Sequence, residues 1–172
     1  MAGKRISGRF YTIGALIFCA VVLLDQITKA IVNKFLPAAG GYIPVCGFLN
    51  LVFVTNKGIS FGLLNTGATW QLAIIYTAIS LSCLWLVRTF LFASTVPQAA
   101  APVLMLAGAS GNILDRVIHG AVIDFIDFYV SEWSIPFTNT TIYDCHWPAF
   151  NFADAAVVCG GIMLFFITVR GK

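Results

Sequence analysis

Charged residues are scarce in this chain. Lys, Arg, Asp and Glu together make up 10% of its 172 residues, whereas ordinary soluble domains contain about 25% of them. The net charge of +3 is small and scattered along the sequence, so we expect no nucleic-acid partner. Hydrophobic residues make up 59% of the chain, and this composition predicts a membrane protein with several spans.

Metal-ligand spacing and a signal-peptide cleavage motif are also missing. Neither histidine, His119 or His146, has a second His or Cys at the spacing of a helical metal site, so we expect no metal ion and no other cofactor. The chain begins with basic residues, as a signal peptide does, but no cleavage motif of small residues follows the first apolar run. We therefore expect an uncleaved first helix.

Cysteine occurs five times without forming a motif. Cys19, Cys83 and Cys159 lie within apolar runs, where the simplest interpretation is a small buried hydrophobic residue. Cys46 and Cys145 lie outside these runs and could form one disulfide in an oxidising compartment. The sequence leaves that pairing open.

Four apolar segments are long enough, at ~20 residues, to cross a bilayer. They cover approximately residues 10–32, 70–92, 99–118 and 150–169. The outer segments are residues 33–69, between the first and second spans, and 119–149, between the third and fourth. Residues 48–55 are rich in β-formers and end at Asn56-Lys57-Gly58, which predicts a strand, a turn and a second strand. We expect one domain, 1–172, with an all-α, four-transmembrane-helix bundle and a small β-sheet on its outer surface.

The distribution of basic residues predicts the orientation. If both termini are cytoplasmic, six of the ten basic residues lie on the inner side, as the positive-inside bias expects. These six are Lys4, Arg5, Arg9, Arg88, Arg170 and Lys172. All seven acidic residues then lie at or beyond the outer interface.

Two carboxylates near the ends of the spans have local partners. An ionisable residue in a membrane helix usually pairs or takes part in chemistry. Asp25 precedes Lys29 by four residues, so a structural ion pair is the simplest interpretation. Asp115 lies at the C-terminal end of the third helix, where the helix dipole disfavours an anion, so we expect it to depend on Arg116, Lys29 or backbone donors. Asn112 shares a helix face with Asp115 and Arg116, and the three residues can form a polar cluster that supports a site.

Asp124 and Asp154 have no basic residue within four positions. Asn151 and Asp154 have the spacing of a capping box, which is a structural alternative for Asp154. Asp124 could equally be a solvated loop acid, with Asp127 as the fallback candidate for its role. The topology brings Asp124 and Asp154 to the same outer interface, where two poorly solvated carboxylates share one proton. Such a pair can supply the acid and the base of a water-activating peptidase.

Five sequence blocks occur in order between residues 25 and 154. They are DQITK from Asp25, NKGISFG from Asn56, GASGNILDR from Gly108, VIDF from Val122 and FNFAD from Phe150. Together these blocks resemble those of the bacterial lipoprotein signal peptidases, also called signal peptidase II. Each block is weakly specific alone, but the ordered set, combined with four spans, is strongly specific.

The resemblance implies an intramembrane aspartyl endopeptidase that removes signal peptides from prolipoproteins and cleaves before a cysteine carrying a diacylglyceryl group. By the family's motifs, the catalytic aspartates match Asp124 and Asp154. The matching residues for substrate binding or site support are Asn56, Gly58, Asn112, Asp115, Arg116, Asn151, Asp25 and Lys29. The expected partners are lipid-modified prolipoproteins and membrane lipids. The expected location is the bacterial inner membrane, with a monomeric enzyme whose active site lies near the periplasmic face.

Two departures from the family pattern stand out. Ile59 and Ser60 follow Gly58, where the family usually has two alanines. The stretch between Asp124 and Asp154 is longer than usual and predicts an enlarged outer loop over the site.

Two other functions are compatible with a small apolar protein. A transporter or ion-conducting subunit could use the acids as a proton or cation relay. The clustering of charge at one interface and the lack of an internal repeat disfavour that alternative. A non-catalytic membrane adaptor would retain its function after Asp124→Asn or Asp154→Asn.

Overall fold

Four α-helices and four β-strands form the described part of this computed structural model, which comprises residues 8–37, 41–56, 69–134, 137 and 141–170. The helices are α1 (Gly8–Phe35), α2 (Thr69–Leu91), α3 (Val96–His119) and α4 (Phe152–Arg170). The strands are β1 (Tyr42–Cys46), β2 (Leu49–Asn56), β3 (Val122–Ser134) and β4 (Thr141–His146). Each predicted apolar segment therefore forms a helix, with ends that differ from the prediction by a few residues.

The helices α1 and α4 have the length and composition of membrane spans. They contain 28 and 19 residues, and their most apolar windows have mean hydropathies of 2.0 and 2.1. Large apolar side chains on their surfaces are exposed, including Leu16 and Phe165. A surface of this kind is stable in lipid and would be unfavourable in water. The described helices thus indicate a membrane protein.

The central helix of the fold is α3, which packs against the other three helices. Small residues allow this close packing. A Cβ atom on Gly108 would overlap the carbonyl oxygen of Ala153 in α4, and one on Gly111 would lie 2.7 Å from Oδ2 of Asp25 in α1. The small-residue run at 108–111 therefore lets α3 approach both neighbours.

The four strands form an antiparallel sheet in the order β1-β2-β3-β4. The first half of β3 pairs with β2, and its second half pairs with β4. Ile123 and Phe125 of β3 pack with Val32 of α1 and with Leu36, which directly follows α1, and this contact attaches the sheet to the C-terminal end of that helix. Asn56 ends β2, whereas residues 57 and 58 of the predicted turn and the strand after it fall outside the described residues. The observed partners of β2 are β1 and β3.

After β4 the chain returns along β3 to the start of α4. Phe150 forms a bridge with Ile126, and the N–H of Trp147 donates to the carbonyl of Phe128 at 2.7 Å. Asn151 and α4 follow directly. The sheet therefore determines where the first turn of α4 lies relative to β3.

Cys46 and Cys145 are free and exposed. They belong to β1 and β4, which are separated by two strands. Neighbouring strands lie ~4.8 Å apart, so β1 and β4 are about 14 Å apart, beyond the reach of a disulfide. The pairing that the sequence left open does not form.

Candidate active site

Asp124 and Asp154 lie in one hydrogen-bonded network although they are distant in sequence. Nδ2 of Asn151 donates to Asp124 at 2.7 Å, and Nδ2 of Asn112 donates to Asp154 at 2.8 Å. The two asparagines also bond to each other, because Nδ2 of Asn151 lies 3.2 Å from Oδ1 of Asn112. Asn56 donates to the second oxygen of Asp124 at 3.2 Å. The network connects β2, β3, α3 and the start of α4.

Asp154 also takes part in a capping box at the start of α4. Its backbone N–H donates to Oδ1 of Asn151 at 2.9 Å, and its Oδ2 accepts from the backbone N–H of Asn151 at 3.3 Å. The other oxygen, Oδ1, accepts from Asn112. The capping function and the contact with the polar network are therefore compatible, because they use different oxygens of the same carboxylate.

A buried ion cluster supports the backbone on both sides of this network. Nζ of Lys29 lies 2.8 Å from Asp25 and 2.8 Å from Asp115, and all three side chains are almost fully buried. Asp25 accepts from the backbone N–H of Ala153 at 2.9 Å, and Asp115 accepts from that of Ile123 at 3.1 Å. Ala153 directly precedes Asp154, and Ile123 directly precedes Asp124. One lysine thus holds two carboxylates, each of which fixes the residue before one candidate aspartate.

Lys29 also reaches the candidate site itself. Its ammonium group donates to Oδ1 of Asn112 at 3.1 Å. Arg116 donates to the backbone carbonyl of Asn112 at 3.2 Å. The expected ion pair of Asp25 with Lys29 forms, and the dependence of Asp115 on Lys29 and a backbone donor agrees with the sequence analysis.

Gln26 is a member of this cluster to which the sequence analysis assigned no role. Its Nε2 donates to Asp115 at 2.9 Å, and lies 3.2 Å from both the carbonyl of Gly111 and a carboxylate oxygen of Asp25. Gln26 gave only a weak signal in the sequence, because it is a single neutral polar residue beside the charged Asp25. Its amide ties α1 to the C-terminal half of α3.

Burial changes the protonation of Asp124. It raises the pKa of this carboxyl from 3.8 to about 6, and the nearby charge of Asp154 acts in the same direction. Hydrogen bonds from Asn56 and Asn151 and the positive charge of Lys29 partly oppose the increase. Asp124, which is 3% exposed, is therefore suited to hold a proton at a mildly acidic pH.

Other predicted residues lie elsewhere. Asp127, the fallback candidate, contacts His146 and Asn50 instead of the network around Asp124. Gly58, Ile59 and Ser60 are outside the described residues. Within the described ranges, no group of three or more His, Cys, Asp or Glu side chains could hold a metal ion.

Comparison with known proteins gives one consistent family. A family model described as Signal peptidase (SPase) II matches residues 17–170. The lipoprotein signal peptidase of Burkholderia mallei (strain SAVP1) is 37% identical over 153 residues, covering 87% of this chain and 83% of the relative. The lipoprotein signal peptidase of Cupriavidus taiwanensis is 38% identical over 162 residues, covering 87% of this chain and 78% of the relative.

Two solved structures share the fold. One, described as a bacterial membrane enzyme determined by the in meso method at 1.9 Å, is 28% identical with a TM-score of 0.70, and the match covers 100% of both chains. The other, described in the same way at 2.3 Å, is 29% identical with a TM-score of 0.65, covering 99% of this chain and 93% of that one.

The family match and the apolar helices agree on the general class of this protein. They indicate a peptidase of the bacterial inner membrane that functions in lipoprotein signal-peptide processing. The polar network and the sheet lie within the matched residues. The chain belongs to the signal peptidase II family.

Proposed function

We propose that this protein is an intramembrane aspartyl endopeptidase that removes the signal peptide from diacylglyceryl-modified prolipoproteins by cleaving before the lipidated cysteine. The observation that carries the proposal is the network in which Asn151 and Asn112 join the carboxylates of Asp124 and Asp154. Two acidic side chains in one partly buried polar network can share a proton and divide the acid and base roles. The ordered sequence blocks of the family support the same two residues.

The proposed reaction activates a water molecule. Ionised Asp154 takes a proton from the water, whose oxygen attacks the scissile carbonyl carbon, while protonated Asp124 gives its proton to the carbonyl oxygen. The resulting diol returns one hydroxyl proton to Asp124. The C–N bond then breaks as Asp154 protonates the leaving amine. Each proton-transfer role is typically worth ~10²–10⁴ in rate.

The acid and base assignments have separate physical support. The raised pKa of Asp124, about 6, favours its protonated form and hence the acid role. Asp154 lies in the first turn of α4, where the positive end of the helix dipole favours a carboxylate.

The supporting residues position the two aspartates. Lys29, Asp25 and Asp115 hold the backbone before each of them, while Asn56, Asn112 and Asn151 bond to their carboxylates. Arg116 donates to the backbone carbonyl of Asn112, and the family motif is the basis for its proposed role in orienting the substrate. Gly58 follows β2 in the sequence and takes its proposed role from the family motif alone.

The proposed membrane arrangement has four spans, both termini in the cytoplasm and the sheet on the periplasmic surface. The positive-inside distribution of basic residues supports this orientation. The exposed apolar surfaces of α1 and α4 would allow a lipid-modified substrate to enter laterally from the bilayer. We propose that the enzyme acts as a monomer of one domain, 1–172, with lipid as its surroundings and no cofactor.

The test is cleavage of a diacylglyceryl-modified prolipoprotein by the purified full-length protein in detergent. Asp124→Asn and Asp154→Asn should each lower kcat by at least ~10³-fold, because each removes one proton-transfer role and disturbs the other. Asp144→Asn is the matched control, since Asp144 is exposed in β4 and its φ of 51° is well tolerated by Asn. Unchanged turnover in either dyad variant would exclude that residue and favour the adaptor alternative. Equal cleavage of a substrate without the lipid would contradict the proposed specificity.

A further inference from the structure

A second polar cluster lies on the sheet, separate from the proposed catalytic network. The carboxylate of Asp127 accepts a hydrogen bond from Nδ2 of Asn50 at 2.9 Å. Both of its oxygens also lie 2.9 Å from Nδ1 of His146. Asp127 and Asn50 are buried, whereas the His146 side chain is 48% exposed. Oδ1 of Asn50 has no hydrogen-bond partner among the described residues. The cluster joins β2, β3 and β4 and has no part in the proposed reaction.

The imidazole of His146 is held in one orientation. A carboxylate only accepts hydrogen bonds, so its contact with Nδ1 selects the tautomer that has a proton on this nitrogen. The ring also stacks on Tyr129, with centroids 5.5 Å apart and an interplanar angle of 19°. Its second nitrogen, Nε2, makes no hydrogen bond within the described part of the chain and is available as an acceptor. A fixed acceptor of this kind is suited to ligand recognition.

His146 and Asp127 line an open groove with a volume of about 390 Å³. Apolar side chains form most of the remaining lining, including Tyr42, Val52 and Trp147. Recognition sites usually combine an apolar lining with a few fixed polar groups, and this groove has that composition.

The groove lies beside the proposed active site along the sheet. Val54, which also lines the groove, is the cross-strand partner of Asp124. Asp124 and Asp127 are three residues apart on the same strand, which corresponds to about 10 Å at ~3.3 Å per residue. An extended peptide would cover the same distance with about three residues. A substrate held at Asp124 can therefore place one of its nearby residues beside His146.

The position of the groove determines which side of the cut it can receive. The apolar part of a signal peptide must remain beside the membrane helices, since burial in lipid is what stabilises it. The groove lies on the sheet and is bounded by strand residues and the segment 147–149, with no helix residue in its lining among those described. The groove is therefore placed to receive the polypeptide on the C-terminal side of the scissile bond.

We propose that this groove binds the extended polypeptide segment that follows the scissile bond, and that His146 is a specificity-determining residue whose Nε2 accepts a hydrogen bond from a polar side chain about three residues beyond the cut. This assignment rests on the proposed function, because it assumes that Asp124 and Asp154 mark the point of cleavage. It gives the long β3–β4 hairpin a role in selecting substrates.

Three diacylglyceryl-modified peptides with the same signal sequence test this proposal with the full-length protein in detergent. The first ends at the modified cysteine, the second continues for six residues with serine at the third position after the cut, and the third has alanine there. The serine peptide should have a KM about five-fold below that of the alanine peptide, as one additional hydrogen bond provides. Both extended peptides should have a lower KM than the short one.

Variants of His146 and Trp147 test the polar and the apolar part of the groove separately. His146→Ala should abolish the preference for serine over alanine, and His146→Gln, which keeps a hydrogen-bonding side chain, should retain part of it. Trp147→Ala should abolish the advantage of the extended peptides over the short one, because it removes apolar lining from an exposed position. His119→Ala is the control, since His119 is an exposed histidine at the end of α3 and lies outside the groove. It should preserve both preferences.

Two results would overturn the assignment while leaving the proposed function intact. One is an equal KM for all three peptides with the wild-type enzyme, and the other is a full serine preference in His146→Ala. Failure of the wild-type enzyme to cleave even the short lipid-modified peptide would contradict the proposed function itself, and the groove assignment with it.

Discussion

The side-chain nitrogen of Asn151 lies 2.7 Å from a carboxylate oxygen of Asp124, and this bond links the residue before α4 to strand β3. The same amide group contacts Asn112, which in turn bonds to Asp154. Asn151 also caps α4 through its Oδ1. It therefore combines a role in helix initiation with a role in spacing the two proposed catalytic carboxylates, and the two roles can be separated by mutation.

Asn151→Ser should lower kcat by about 10²-fold with little change in the unfolding temperature. Serine is as good an N-cap as asparagine, so α4 should still begin normally. Its shorter side chain cannot donate to Asp124 and Asn112, and a small misplacement of catalytic groups can cost about this much. Asn33→Ser, at an exposed position of α1, is the control and should retain full activity. Because serine retains the cap, an unchanged kcat in Asn151→Ser would indicate that capping is the main role of Asn151.

The pH dependence of kcat/KM should have a descending limb near pH 6. The raised pKa of Asp124, about 6, means that the proposed acid loses its proton as the pH rises through this value. The hydrogen bond from Asn56 lowers this pKa by stabilising the carboxylate. Asn56→Ala should therefore raise the pKa of Asp124 and move the descending limb to higher pH. Movement to lower pH, or a similar change in Asn33→Ala, would contradict this role for Asp124.

Lys29→Met should destabilise the protein by about 3–5 kcal/mol, because it leaves two carboxylates buried without their cation. Asp25 and Asp115 are both buried and each contacts Lys29 at 2.8 Å. Denaturant unfolding in detergent measures the change. Lys34→Met provides the comparison, since Lys34 is exposed near the end of the same helix and should have a small effect. Similar losses in the two variants would show that the buried cluster contributes no special stability.

Gly108→Ala should destabilise the contact between α3 and α4 and lower activity as well. The added methyl group would overlap the carbonyl oxygen of Ala153, so the helices must separate and displace the residue before Asp154. Overpacking of this kind costs about 1–3 kcal/mol. Gly161→Ala is a matched control on α4, since nothing lies within 4 Å of its added carbon. It should leave the protein as stable or slightly more so, because alanine favours helix.

The helices could be predicted because each is a long apolar run of about 20 residues in the sequence, and a run of that length favours a helix. Their ends were less accurate because they depend on local capping. The third helix was predicted from about residue 99 but begins at Val96, where the side chain of Thr95 accepts from the N–H of Gln98 and Pro97 is tolerated in the first turn. The fourth begins at Phe152, directly after its capping residue Asn151.

The strand pairing was harder to predict because it depends on contacts between distant segments. Residues 48–55 were predicted to form a strand followed by a turn and a second strand. The strand β2 (Leu49–Asn56) confirms the first of these, but its partner β3 lies more than sixty positions away (Asn56 with Val122), where no local pattern indicates the pairing. The same limit explains why the contact of Asp127 with His146 was missed. Gln26 was overlooked for a different reason, since a single neutral polar residue carries little signal beside a charged neighbour.

The division of β3 between two partners has a practical consequence for protein engineering. Asp124 lies in the half that pairs with β2, and the bridge from Ile126 to Phe150 lies between it and the pairing with β4. Residues added or removed between Ser134 and Thr141 therefore leave the pairing of β3 with β2 and the bridge from Ile126 to Phe150 in register. This makes the hairpin end a suitable insertion point for an affinity tag or a fluorescent reporter.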